Sequence, residues 1–482
     1  GVPYAQSPED ELRWHEPQPV ECYPDATGVY DAIEFKNECV QFTTEWENGQ
    51  MVENPTGDED CLYLNIWTTA DLDVGSEVEP TRPVMVFIHG GGNRSGSGSV
   101  VVNQDTRPRY DGMELASHND SVVVTLNYRL GQFGWLTHSL LAAETEHNVS
   151  GNYGLLDQLE ALRWIQANIA SFGGDANRVM IFGESAGAQD TFLLYASPEA
   201  AGLFSSALLQ SGVPYFRTKE QALETGGDFV TASGCTDVEC LRDMTADEVL
   251  RTMRSESGVC TRPGDYQPHI DGWVLPDDPI ALVSAPEHNA VPLVIGDNSH
   301  ETGVNMARGT LEELFGVTLA EEVKGHYPLA DYGDDPELRL IAATSDAKFV
   351  CPARRMAVAA ATHSAPVYRF NFTQTFGGWI FDECVGACHG VELTYVFNRM
   401  DIDGYQNATN EERAFAHEIM FAWGRFAATG DPNEAQAALW PEYDDALDTY
   451  VELNATGITA EAGWNTAQCD FWDTQDAFPW PE

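Results

Sequence analysis

Lysine is nearly absent from this chain. Only Lys36, Lys219, Lys324 and Lys348 occur in 482 residues, and lysine plus arginine number 25 against 76 aspartates and glutamates. A chain with a formal net charge of −51 has no basic surface to set against phosphates, so nucleic acid is excluded as a partner. Long apolar runs are missing as well. None reaches the roughly 18 to 20 residues that a membrane helix needs, so no membrane span is expected. The opening Gly1-Val2-Pro3-Tyr4-Ala5 lacks the Met, basic end and apolar stretch of a secretory leader, and the expectation is that an upstream segment has been removed or left out. No repeat, low-complexity tract or linker is found, and the acidic residues mark no boundary. A single domain over residues 1–482 is expected.

Acid is what the chain has in excess. A dense carboxylate shell repels itself in dilute buffer and is screened in brine, which points to a saline habitat. An ordinary acidic secreted enzyme is the alternative. The negative field would favour neutral or cationic substrates and help expel a carboxylate product. Ten cysteines point to an oxidising compartment, secreted or periplasmic. Asn-x-Ser/Thr sequons start at Asn93, Asn119, Asn148, Asn371, Asn407 and Asn454, and they matter only in a eukaryotic secretory pathway.

Short apolar runs mark buried strands at Val84–Ile88, Ser121–Leu126, Arg178–Phe182, Ala207–Leu209, Pro292–Ile295 and Pro366–Phe372. Helical spacing of apolar residues runs from Leu155 to Ala170, and a further helical segment covers Glu411 to Ala428. Apolar strands alternating with helices predict an α/β fold with a mostly parallel sheet covered on both faces.

Gly183-Glu184-Ser185-Ala186-Gly187 falls between a predicted strand and a helix. In that context G-x-S-x-G forms a sharp turn that lifts a serine hydroxyl out of the sheet. A serine needs a base to become a nucleophile, and donors for the oxyanion it creates. His89-Gly90-Gly91-Gly92 has the form that supplies such donors, with Gly91, Gly92 and the Ala186 amide as the expected hole. The base should follow the acid later in the chain. His389, in a glycine-flanked loop, is the leading candidate, and His269, His288, His300, His326 and His363 read as surface or structural. Glu301 follows a strand end, where catalytic groups of open α/β sheets gather, and Asp297 is its rival.

Taken together these segments resemble the type-B carboxylesterase and cholinesterase family of α/β hydrolases, over nearly the whole chain. Glu59-Asp60-Cys61-Leu62-Tyr63-Leu64-Asn65-Ile66-Trp67 is similar to its most characteristic phrase, and Asn127-Tyr128-Arg129, Gly151–Gln158, Phe172–Asp175 and Gln210-Ser211-Gly212 follow in family order. The resemblance implies an α/β-hydrolase fold with loop and helical excursions forming an active-site gorge. It also implies a serine hydrolase that cleaves small-molecule carboxylic esters through an acyl-enzyme, without metal or cofactor. Ser185 matches the nucleophile, Glu301 the acid and His389 the base. Gly91, Gly92 and Ala186 match the oxyanion donors, Glu184 a buried acidic neighbour, and Ser211 a hydroxyl near the histidine. Disulfides Cys39–Cys61, Cys235–Cys240 and Cys351–Cys469 are implied. Cys384–Cys388 and Cys22–Cys260 pair what remains. A metal site at Cys384, Cys388 and His389 would lack a fourth ligand.

Two departures stand out. An extra Thr302 separates Glu301 from Gly303, and Glu53 precedes Asn54-Pro55 where cholinesterases carry a choline-stacking tryptophan, with Trp46 elsewhere in that loop. The substrate class therefore stays open between a general carboxylesterase, a cholinesterase, a lipase and an enzyme for a bulky natural or polymeric ester. A non-enzymatic adhesion module of the same family would be expected to lack the nucleophile. The oligomeric state is not legible.

Overall fold

The computed structural model describes residues 1–20, 30–47, 50–72, 78–101, 107–253, 266–286, 288–375, 384–400, 408–434 and 439–475. Ten strands form the main sheet: β1 (Val2–Pro3), β2 (Tyr63–Trp67), β3 (Arg82–Ile88), β4 (Val122–Leu126), β5 (Gly174–Glu184), β6 (Ser206–Gln210), β7 (Leu293–Asn298), β8 (Val367–Phe372), β9 (Thr449–Asn454) and β10 (Gly457–Ala462). Their spatial order is β1-β2-β4-β3-β5-β6-β7-β8-β9-β10. Pairing is parallel from β4 through to β9 and antiparallel only at the two edges. Each predicted strand is present, most of them longer than the apolar run that signals it. A separate hairpin, Gln41–Glu47 with Gln50–Thr56, stands inside the Cys39–Cys61 loop.

The apolar runs are continuous because both sheet faces are covered. Val84, Val86 and Ile88 point to one core with Ile181, Leu209 and Ile295. Helices α1 (Tyr153–Asn168) and α2 (Ala186–Ala196) cover that face with Leu155, Leu159, Ile165, Phe192 and Leu193. Met85 and Phe87 point the other way, joining Met180, Phe182, Val294 and Phe370. There α3 (Asn410–Thr429) supplies Phe415, Ile419, Trp423 and Phe426. A capping box of Thr409 and Glu412 starts α3, and Gly430 in left-handed conformation ends it.

Four of the expected disulfides are formed: Cys39–Cys61, Cys235–Cys240, Cys351–Cys469 and Cys384–Cys388. Closing the loop of 22 residues stabilises the fold by about 3 kcal/mol in the chain-entropy picture. The Cys22–Cys260 pair lies outside the described residues. Among the described residues no helix is long and apolar enough to cross a membrane. The sequons fare unevenly. Asn93 and Asn371 are buried, and of the described sequon asparagines only Asn148 is exposed.

Candidate active site

The carboxyl ends of β3, β5 and β7 bring the candidate residues to one end of the sheet. At the end of β5 the chain turns abruptly at Ser185, whose φ of 58° and ψ of −126° are strained for a residue with a Cβ. Its amide donates to Gln210 O at 3.0 Å, and its carbonyl caps α2 through Gln189 N at 2.9 Å. The turn needs glycine at 187, since a Cβ there would stand 2.0 Å from Ile88 O. Ser185 itself is half-buried.

The loop after β3 packs against this turn. A Cβ on Gly90 would come within 2.9 Å of Ser185 Cβ. Gly91 adopts φ 113°, which only glycine takes readily, and its carbonyl accepts from Arg94 N and Ser95 N at 3.2 and 3.1 Å. Gly92 O accepts from Gln267 Nε2 at 2.8 Å. With these carbonyls engaged, the amides of Gly91, Gly92 and Ala186 find no acceptor among the described residues. The loop is anchored from below. Tyr128 donates to His89 O at 2.8 Å and stacks on the His89 ring. Asn93 donates to Asp190 Oδ1 at 3.0 Å on α2, and Gln158 on α1 holds the other oxygen at 2.7 Å. Burial pushes Asp190 up to about 7, against those two hydrogen bonds. The buried pair Arg129–Asp157 fixes the segment carrying Tyr128.

His389 enters from the loop before helix Leu393–Val396. Its Nδ1 lies 2.7 Å from Glu301 Oε2, and its amide donates to Glu301 O at 3.1 Å. The other carboxylate oxygen of Glu301 accepts from Asn298 N at 2.6 Å. On the far side of the ring, Nε2 lies 3.2 Å from Glu184 Oε1, the residue next to Ser185. Phe349 packs on the imidazole with ring centroids 4.9 Å apart. The Cys384–Cys388 disulfide closes the loop just before the histidine, so those sulfurs are bonded to each other and offer no thiolate pair to a metal. Thr302, the extra residue, is absorbed by helix Pro336–Ser345: its hydroxyl meets Thr344 Oγ1 at 2.7 Å, and its amide donates to Ser345 Oγ at 3.1 Å.

Asp297, the rival acid, is buried and neither carboxyl oxygen has a partner among the described residues. Burial, then the charge of Glu301, pushes its pKa well above the carboxylate range. The other histidines lie in structural settings. His269 is buried and its amide donates to Asn152 Oδ1, His288 and His363 face each other, and His326 stacks on Phe471. His300 backs onto Gly386 and so braces the loop of His389 from behind.

Residues 1–472 match the model of the carboxylesterase family. The chain belongs to that family. It is 34% identical over 464 residues to para-nitrobenzyl esterase of Bacillus subtilis, covering 92% of this chain and 88% of that protein. It is 32% identical over 516 residues to human carboxylesterase 5A, covering 98% and 84%. The solved structure of a thermophilic PNB esterase superposes with a TM-score of 0.79 at 31% identity, covering 98% of this chain and 95% of that one. The chain is therefore a carboxylic ester hydrolase with the α/β-hydrolase fold.

In this carboxylesterase the floor beneath the imidazole is acidic. Burial raises the pKa of Glu184, while His389 and Arg109 oppose it. Glu392, three residues past the histidine, is pushed up to about 7 by burial and then by Glu184. Its oxygens accept from Gln210 Nε2 at 2.9 Å and Asn298 Nδ2 at 2.6 Å. Burial alone would lower the pKa of His389, but Glu184, Glu301 and Glu392 outweigh it and raise the value to about 9. Neither Glu392 nor Asn298 is singled out by sequence reasoning. The stretch Gly386-Ala387-Cys388-His389-Gly390-Val391-Glu392 contains the first, yet its contacts come from β6 and β7, far away in the chain. Ser211 ties β6 to β7 through its amide and Gly296 O at 2.7 Å, and its buried hydroxyl has no partner among the described residues.

Among the described residues no cluster of three or more His, Cys, Asp or Glu side chains is placed to hold a metal ion.

Proposed function

We propose that this enzyme hydrolyses carboxylic esters by two displacements at Ser185, with His389 as base and Glu301 as the acid that orients it. Neutral His389 takes the proton from Ser185 Oγ as the oxygen attacks the ester carbonyl. The oxyanion is held by the amides of Gly91, Gly92 and Ala186. The imidazolium then gives its proton to the leaving alcohol, and an acyl-enzyme remains. Water attacks that acyl group with His389 again as base, releasing the carboxylic acid and restoring the serine. Glu301 stabilises the imidazolium through Nδ1–H. The observation that carries the reading is the ring of His389, bonded to Glu301 on one side at 2.7 Å and turned on the other toward the residue beside Ser185.

Ser185→Ala is expected to keep the circular dichroism of the parent and lower turnover of a p-nitrophenyl ester by roughly 10⁴ to 10⁶. An undiminished rate, or organophosphonate labelling at another residue, would end this mechanism.

The 482 residues act as one domain in this reading. Four disulfides require an oxidising compartment, which supports a secreted or periplasmic location, and the charge of −51 supports a saline one. A melting temperature that climbs between about 0.1 and about 3 M NaCl is the expected result, since salt shortens the reach of carboxylate repulsion. A flat response argues against the saline habitat.

A further inference from the structure

We propose that Asp190 and Asn93 are positioning residues for ester hydrolysis: their buried hydrogen bond ties the oxyanion loop to the helix that carries the nucleophile, and so holds the two halves of the oxyanion hole in register. This rests on the reading of Ser185 as nucleophile with Gly91, Gly92 and Ala186 as its oxyanion donors, and adds two residues to that site.

The donors of the hole come from two elements far apart in sequence. The Ala186 amide belongs to the first turn of α2, whereas Gly91 and Gly92 belong to the loop after β3. An oxyanion gains from all three only if each lies about 2.7–3.1 Å from one point. The bonds inside the loop, from Arg94 N and Ser95 N to Gly91 O, set its shape but not its place on α2. Close packing of Gly90 on Ser185 limits how near the loop comes, but such contact has no direction. A hydrogen bond between loop and helix does.

Asp190 supplies that bond. It lies on α2, the helix that opens at Ser185, and accepts at 3.0 Å from Nδ2 of Asn93, the residue after Gly92. Its other oxygen accepts from Gln158 Nε2 on α1 at 2.7 Å, so the strut is itself held. Asp190, Asn93 and Gln158 are all fully buried. Three further donors grip Asn93. Tyr128 donates to its Oδ1 at 3.2 Å, and Gly131 N and Trp135 Nε1 donate to its carbonyl at 2.8 and 3.2 Å. Its φ of 58° is left-handed, a region that asparagine enters more readily than most residues with a side chain.

A carboxyl group met only by two neutral amides is a costly way to fill a buried helix position, and the neighbouring Phe192, Leu193 and Leu194 are apolar. A hydrocarbon would serve packing alone. What the acid adds is a continuous line of hydrogen bonds from α1 through α2 to the residue beside Gly92. A second tie runs parallel to it and is longer. Gln189, next to Asp190, donates to Gln267 Oε1 at 3.4 Å, and Gln267 donates to Gly92 O at 2.8 Å.

The test sets the kinetics of p-nitrophenyl butyrate beside inhibition by an alkyl trifluoromethyl ketone of similar length. Ser185 Oγ adds to the ketone carbonyl, its proton passes to His389, and the carbonyl oxygen becomes an oxyanion in the hole. Organophosphonate titration counts active sites in each variant, and circular dichroism checks the fold. Asn93→Gly keeps the left-handed backbone without strain and removes the strut. It should lower kcat about 10- to 100-fold with KM changed less than about threefold, the scale for donors displaced by up to about 1 Å, and raise the Ki of the ketone by a similar factor. Asp190→Leu should do the same. The double variant should lose no more than Asp190→Leu alone, because both changes break one bond. Asp190→Asn should keep most of the activity: one oxygen still accepts from Asn93, and Gln158, whose Oε1 has no partner among the described residues, turns its amide to accept from the new one. Asn93→Gly carries the test even where Asp190→Leu does not fold. Unchanged kcat and Ki in Asn93→Gly, a loss confined to KM, or additive losses in the double variant overturn the strut while ester hydrolysis stands. No inhibition of the wild type by the ketone, together with no organophosphonate labelling of Ser185, overturns the esterase mechanism itself.

Discussion

Asp297 and Glu301 are two buried carboxyl groups four positions apart, one on β7 and one just beyond it. Neither is more than 1% exposed. Their surroundings differ in donors. Glu301 receives the imidazole at 2.7 Å and a backbone amide at 2.6 Å. Asp297 receives nothing on either oxygen among the described residues, and burial pushes its pKa well above the carboxylate range. A carboxyl group in a protein interior acts as an electrostatic partner only when the chain supplies donors to it. Without them it takes up a proton and becomes a neutral, polar piece of the core.

The largest consequence concerns catalysis. Glu301→Gln preserves shape but removes the charge facing Nδ1 and the certainty of its tautomer. Turnover of a p-nitrophenyl ester should fall by about 10³ to 10⁴, the scale seen when the acid of a comparable triad is amidated. Asp297→Asn alters a carboxyl group that no donor among the described residues meets and should change turnover only a few-fold. Steady-state kinetics on the two variants, each checked for native circular dichroism, decides between them. The reverse order of effects would make Asp297 the working acid and would remove the basis of the comparison.

How much of this was legible in the sequence follows from how local each feature is. The turn at Ser185 and the loop of Gly91 and Gly92 are written in consecutive residues beside apolar strands, so pattern alone locates them. Glu301 and Asp297 could not be separated that way, because both sit at the same strand end. The choice is made by His389, 88 positions later, whose loop is carried to Glu301 by the disulfide at Cys384 and Cys388 and by His300 behind Gly386. The family resemblance points to Glu301, and the contact of its carboxylate with His389 Nδ1 supports that reading. Glu392 lies only three residues past His389 but has meaning only through Asn298 and Gln210 on neighbouring strands.

The smaller effect is on pH dependence, and it tests the same contrast through the imidazole. In the proposed mechanism His389 must be neutral to accept the proton of Ser185, and the folded protein raises its pKa to about 9. At pH 7 the imidazolium therefore predominates in the free enzyme, and kcat/KM should climb with pH as that proton is lost. Glu184 is the largest of the contributions that raise the value, with its Oε1 3.2 Å from Nε2. Removing its charge with Glu184→Gln should move the rising limb to lower pH. Asp297→Asn should leave the limb where it is, since the groups that raise the histidine are Glu184, Glu301 and Glu392. If instead the Asp297 variant shifts the limb downward and the Glu184 variant does not, the protonation states assigned to these two acids are exchanged.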